Sequence, residues 1–247
     1  MLLEERLLFP AHAVGEAGPL PAGARPLETG AASGERLVGI HVPPAGGAAS
    51  DLLVLGYPGN GWNSADAASL LHALYPDAHV ASFHYRGYRA SEGRPTAPAL
   101  IADAPLTHDA ALAASGARRV LVVGVSIGTG IAAHLAAERA VEGLILVTPF
   151  DSLRKVAGEA IPLLPAGALL RNEIAAADAL RPLAVPVAII EAERDEIISA
   201  ARTEGLRRAA RWIVLDRRIA GAGHNDLYQR ADFAAAMAAA RAAIEGR

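Results

Sequence analysis

Cysteine is missing from this chain of 247 residues. That absence excludes disulfides, thiolate nucleophiles and cysteine-ligated metals together. Lysine is nearly missing as well: Lys155 stands alone, and the arginines are scattered rather than gathered into a basic face. With a formal net charge of −3, nothing favours nucleic acid or an anionic membrane as a partner. Aromatic residues are only 4% of a chain that is 52% hydrophobic, so alanine-rich helices packed closely on small side chains are expected. No apolar run reaches the roughly eighteen residues of a membrane span. Arg118 and Arg119, or Glu138 and Arg139, interrupt the best candidates. The first residues, Met1-Leu2-Leu3-Glu4-Glu5-Arg6, put acids where a secretory leader carries bases. The expectation is a cytoplasmic protein.

What is present is a rhythm. Leu2 to Phe9 and Arg36 to Val42 read as opening strands across a Gly/Pro/Ala-rich connection. From Asp51 onward short apolar runs follow one another: Leu52 to Tyr57, His79 to Tyr85, Val120 to Val125, Leu144 to Thr148, Val187 to Glu191 and Trp212 to Leu215. Helix-compatible stretches lie between them, near Ser64 to Leu74, Ala99 to Ala114, Ile127 to Arg139, Ala200 to Ala210 and Asp226 to Ile244. Pro105 should kink or split the second. Such alternation predicts an α/β fold, a mostly parallel sheet of about eight strands with helices on both faces. With no repeat and no low-complexity linker, residues 1–247 read as one domain. One connection, 149–186, is far longer than an ordinary crossover and strongly apolar, and it reads as a lid-like insertion or a pair of packing helices. Leu163, Leu164, Leu169 and Leu170 within it are the candidate substrate-pocket residues.

The chemistry is carried by Gly124-Val125-Ser126-Ile127-Gly128. This G-x-S-x-G segment closes a β-branched run and opens a helix, the context a nucleophile elbow requires. A strand that reverses sharply into a helix puts the serine in a strained conformation and leaves its neighbours little room for a Cβ. The helix then aims its first free N–H groups at whatever the hydroxyl attacks.

A serine hydroxyl needs a base, and the base works best when a carboxylate fixes its tautomer. Asp195 lies in a loop after the run Val187 to Glu191, and His224 in the glycine-rich loop Gly221-Ala222-Gly223-His224-Asn225-Asp226. The order Ser, Asp, His is one of three known orders for this constellation. Asp151, Glu193 and Glu196 are alternative carboxylates. Of the eight histidines, only His224 sits in a late loop before the final helix. None of them shows a zinc-type spacing with a nearby carboxylate, and no nucleotide-binding glycine pattern is present, so no metal and no cofactor are expected.

These residues together resemble the α/β-hydrolase family from about Leu52 to the C-terminus. The resemblance is strongest to its compact serine esterase-like branch, which carries an Arg-Gly-Tyr loop after the fourth strand; the match here is Tyr85-Arg86-Gly87-Tyr88. Arg86 is expected to bind loop carbonyls and Gly87 to permit the turn, with no catalytic part. Where that branch has His-Gly-Asn after its third strand, this chain has Pro58-Gly59-Asn60. Ala192 and Ser199 are further departures, at positions where the family often has Gly and Pro. The resemblance implies an oxyanion hole from the backbone N–H groups of Asn60 and Ile127, and a small-molecule acyl substrate, ester or thioester. A peptidase or an acyltransferase would use the same triad, and a binding protein could occupy the same scaffold.

Overall fold

A computed structural model of the chain describes residues 5, 8–160 and 170–246. Its strands belong to a mostly parallel sheet of eight, and the chain divides into two compact units, residues 1–122 and 123–247. No helix among the described residues is long and apolar enough to cross a membrane.

In the first unit β1 (Arg25–Gly30) and β2 (Arg36–Val42) form an antiparallel hairpin, and β2 pairs antiparallel with β4 (His79–Phe83). β4 in turn pairs parallel with β3 (Leu52–Tyr57), giving the order β1-β2-β4-β3. All six residues of β3 are buried, as an interior strand of parallel sheet demands. α1 (Ser64–Leu74) starts where Asn63 Oδ1 accepts the Ala65 N–H at 2.9 Å, satisfying one of the donors a helix start leaves open. α2 (Ala97–Ser115) is capped by Thr96 and ends at Gly116 in the left-handed region.

Three sequence expectations change here. Of the expected strand Leu2 to Phe9, the described residues are Glu5, Leu8 and Phe9; Glu5 and Leu8 are helical, and the Phe9 N–H donates to the Glu5 carbonyl at 2.8 Å. The partner of β2 is instead Arg25–Gly30, whose single large apolar residue, Leu27, gives almost no strand signal. Pro105 is buried within one continuous helix of 19 residues rather than splitting it. Finally, Arg86 pairs with carboxylates and not with loop carbonyls. Its Nε donates to Asp103 at 2.9 Å, Nη2 forms a second bond to the same carboxylate, and Nη1 reaches Ser33 and Glu35. Both Arg86 and Asp103 are buried, so the pair satisfies charges that could not otherwise leave water.

In the second unit β6 (Gly143–Val147), β7 (Val187–Ala192) and β8 (Ile213–Ile219) run parallel in that order, while β5 (Arg119–Val125) begins in the first unit and ends in the second. α3 (Ile127–Glu138) follows β5, α4 (Leu153–Ala160) and α5 (Ala176–Leu180) lie between β6 and β7, α6 (Ala200–Ala209) follows β7, and α7 (Ala231–Glu245) follows β8. α7 buries Phe233, Ala236, Met237, Ala240 and Ile244, an i, i+3, i+4, i+7 stripe on an otherwise alanine-rich helix. β8 is the outer strand and carries Asp216, Arg217 and Arg218 on its exposed stretch. Charge on an edge discourages pairing with another chain. It also ties the strand inward, since Arg207 binds Asp216 and the buried Glu191.

A histidine pair in the first unit makes stability pH-dependent. His41 Nε2 and His79 Nδ1 are 3.0 Å apart with their rings stacked. Burial, then the neighbouring His79 and Arg25, holds His41 down to about 4, and burial lowers His79 as well. A depressed folded-state pKa means that the unfolded chain takes up the proton first, near pH 6.5. The stability contributed by the neutral pair is therefore complete above that pH and is lost as pH falls toward about 4. Denaturant titrations at pH 7 and 5.5 should show a fall in stability that shrinks in His41→Gln. An equal fall in both proteins would contradict this origin.

Candidate active site

Ser126 lies at the junction of β5 and α3 with φ 50° and ψ −116°, a conformation that costs a residue with a side chain about 1–3 kcal/mol. Local bonds hold it there. Its N–H donates to the Val147 carbonyl at 2.9 Å, and its carbonyl accepts from the Thr129 N–H at 2.9 Å and the Thr129 hydroxyl at 2.6 Å. A Cβ on Gly124 would lie 2.6 Å from the Gly128 carbonyl oxygen and 2.7 Å from Thr129 Cα, so only glycine lets strand and helix approach this closely. The Ser126 hydroxyl makes no capping bond to the helix that it begins. Ile127 is the first residue of that helix, and its N–H stands among the donors without an intrahelical acceptor.

His224 and Asp195 are brought together. His224 Nδ1 lies 2.9 and 2.8 Å from the two Asp195 carboxylate oxygens, and both side chains are 7% exposed. Asp195 is itself fixed, because its Oδ1 accepts the N–H groups of Ile197 at 2.9 Å and Ile198 at 2.7 Å. A carboxylate on Nδ1 leaves Nε2 as the ring nitrogen free to take and return a proton. Among the described residues, this hydrogen bonding joins His224 to Asp195 and does not extend to Ser126. The other carboxylates are engaged elsewhere: Asp151 by Lys155 at 2.7 Å and Arg202 at 3.0 Å, Glu193 by the Gly221 N–H at 2.8 Å, and Glu196 by the His224 N–H at 3.0 Å.

Asn60 belongs to the first unit. Its side chain donates to the Leu8 carbonyl at 2.6 Å and accepts the Tyr88 hydroxyl at 2.5 Å. Two residues earlier, the Pro58 carbonyl accepts the Tyr85 hydroxyl at 2.7 Å. The two tyrosines, edge to face at 5.7 Å, thus anchor the loop after β3. That role was missed in the sequence, although the Tyr-Arg-Gly-Tyr spacing was its signal. Also missed was Thr148, fully buried at φ 47°, and Tyr228, whose hydroxyl is bonded to it. Burial holds the Tyr228 phenol above its ordinary range. Leu170 is half-buried and its carbonyl accepts from Arg154 at 3.3 Å, whereas Leu163, Leu164 and Leu169 lie outside the described residues. No group of three His, Asp or Glu side chains among the described residues is placed to hold a metal ion.

Known proteins share this architecture. The family model for the alpha/beta hydrolase fold matches residues 52–169. The chain is 33% identical over 224 residues to the uncharacterized protein Rv2307c of Mycobacterium tuberculosis, a match that covers 85% of this chain and 78% of that one. It is 31% identical over 153 residues to alpha/beta hydrolase domain-containing protein 17B of Homo sapiens, covering 61% of this chain and 52% of that one. The solved structure of the Pyrococcus furiosus esterase Pf2001 superposes with a TM-score of 0.70 at 16% identity, over 87% of this chain and 88% of the other. The chain belongs to the α/β-hydrolase family.

The elbow geometry carries its own test. Gly124→Ala must push apart strand and helix backbone, and should destabilise the protein by about 1–3 kcal/mol, read as a lower melting temperature. An unchanged melting temperature would mean that the close approach at Gly124 is relieved without cost.

Proposed function

We propose that the chain is a serine hydrolase that cleaves a carboxylic ester or thioester through an acyl-enzyme on Ser126. The observation that carries this reading is His224, held through Nδ1 by both oxygens of Asp195, in the same unit as a serine strained at the start of a helix. The Ser126 oxygen attacks the acyl carbon while its proton passes to His224 Nε2. The tetrahedral intermediate places its negative oxygen on the N–H of Ile127, and family resemblance supplies the Asn60 N–H as the second donor. His224 then gives the proton to the leaving alcohol or thiol. Water enters, loses a proton to His224 and attacks the acyl carbon; the acid departs and Ser126 recovers its proton. Asp195 stays ionised throughout and stabilises the imidazolium. Neither metal nor nucleotide has a part in these steps.

Ser126→Ala should lose turnover by a factor on the order of a million while melting as the parent does. A fluorophosphonate probe should label the parent and leave the variant unlabelled. Labelling of the folded variant, or more than about one per cent of parental esterase activity, would remove Ser126 from the mechanism. Asp195→Asn keeps the shape of the acid but cannot stabilise the charged ring, and a fall of roughly ten-thousandfold in kcat is expected. Near-parental activity would show that the Asp195–His224 bond is structural only.

Acyl selectivity is assigned to the insertion 149–186. Leu170→Ala should shift the preference among p-nitrophenyl esters of increasing length by the equivalent of about 1–3 kcal/mol, the worth of an apolar pocket contact. A preserved length profile with reduced stability would make Leu170 a packing residue.

A further inference from the structure

The acid loop grips His224 at two points, and the triad uses only one of them. Asp195 holds the ring. Its neighbour Glu196 holds the backbone: Oε2 accepts the His224 N–H at 3.0 Å, and Oε1 lies 3.5 Å from the Asn225 side-chain amide. The turn that fixes Asp195, with its Oδ1 on the Ile197 and Ile198 N–H groups, also directs the Glu196 side chain at the histidine loop. That loop has been cleared to receive it. A Cβ on Gly223 would lie 2.9 Å from Glu196 Oε2, so a side chain at 223 would have to shift the end of the Glu196 side chain, and Gly223 does not occupy the left-handed region. Further bonds of this junction are the Arg194 N–H on the Ala222 carbonyl at 2.8 Å and the Gly221 N–H on Glu193 at 2.8 Å.

A histidine bonded only through Nδ1 can still swing about that bond when its Cα shifts, carrying Nε2 off the line to the nucleophile. We propose that Glu196 is a positioning residue of the hydrolase, fixing the His224 backbone so that the ring bonded to Asp195 presents Nε2 in one direction. The proposal rests on the serine-hydrolase reading. It makes Glu196 neither an acid nor a base in the reaction, because it touches the backbone of His224 and not its ring.

The readout is kcat, which a contact that only stabilised the fold would leave unchanged. Glu196→Ala removes the acceptor, and kcat should fall about tenfold to a hundredfold, the scale of small misplacements in an active site, with KM within about twofold. Glu196→Gln keeps an acceptor oxygen of the same reach without charge and should restore kcat to within about threefold of the parent. Gly223→Ala shifts the end of the carboxylate and should lower kcat by less than Glu196→Ala does. In the Glu196→Ala background the same glycine change should cost nothing further, because the atom it meets is gone. Activity of Glu196→Ala within about twofold of the parent, or an equal cost of Gly223→Ala in both backgrounds, would overturn the proposal while leaving the triad intact. Ser126→Ala, assayed alongside, separates the two failures: retention of turnover by that variant would overturn the serine-hydrolase reading, and this proposal with it.

Discussion

The geometry of the second unit depends on keeping Ser126 at a positive φ. A serine has no intrinsic reason to stay there, since the conformation costs about 1–3 kcal/mol and nearby allowed regions are free of strain. It stays because three backbone-directed bonds, one from its N–H and two to its carbonyl, hold the peptide groups on either side. Each contributes about 0.5–1.5 kcal/mol, which offsets the strain without leaving a wide margin. Gly124 then lets β5 and the first turn of α3 meet with backbone against backbone. The outcome is a hydroxyl not consumed by its own helix, standing where α3 offers its unpaired N–H groups. Strand, serine and the first free N–H groups of α3 are fixed by one turn, so their relative placement needs no further element.

The histidine and its acid are held differently. Both come from loops that leave parallel strands, β7 and β8, at their carboxyl ends, where open α/β sheets bind ligands. A loop has no ladder of its own, and these two lend each other bonds: Arg194 to Ala222, Gly221 to Glu193, His224 to Glu196, with Glu193 also reaching the Ile219 carbonyl through its N–H. Polar groups that would otherwise be left to water are thereby used to set the distance between Asp195 and His224. Four consecutive residues, Glu193 to Glu196, each contribute to that junction, and the charge of Asp195 is one part of a larger fitting.

Much of this was legible in the sequence. Buried parallel strands announce themselves as unbroken apolar runs, and Leu52–Tyr57 and Val187–Ala192 fall where those runs lie. The elbow was legible because its glycines and its serine are required by one turn. β1 was not, since an edge strand such as Arg25–Gly30 is paired through its backbone and needs few apolar residues. The N-terminal segment misled because a short apolar run suits a strand, and nothing in the sequence shows the bond from the Phe9 N–H to the Glu5 carbonyl. Among Asp151, Asp195, Glu193 and Glu196 the sequence offered no measure of distance. Only the fold shows Asp151 drawn to Lys155 and Arg202, and Asp195 bonded to His224. The partner of Arg86 was hidden for the same reason, for Asp103 is 17 residues away and meets it only through packing.

The insertion 149–186 is fastened to its unit unevenly. Its far end is core: Ile174 is fully buried, Ala176, Ala177 and Leu180 are buried with it, and Gly130 of α3 has no room for a Cβ beside Ile174. The helix that Ser126 begins is therefore packed against the end of the insertion. The near end is different. α4 buries only Leu153 and is fastened through polar contacts, Lys155 with Asp151, Arg154 with Glu173, and Glu159 with Ser199 and Arg202. The Arg154–Glu173 pair is partly exposed and contributes little, whereas the Asp151 carboxylate is buried and depends on its cations, and a buried isoleucine is worth about 1.5–3 kcal/mol. Substitutions at the exposed positions of α4 other than Lys155 should consequently cost little stability, while changes around Ile174 would disturb the helix behind Ser126.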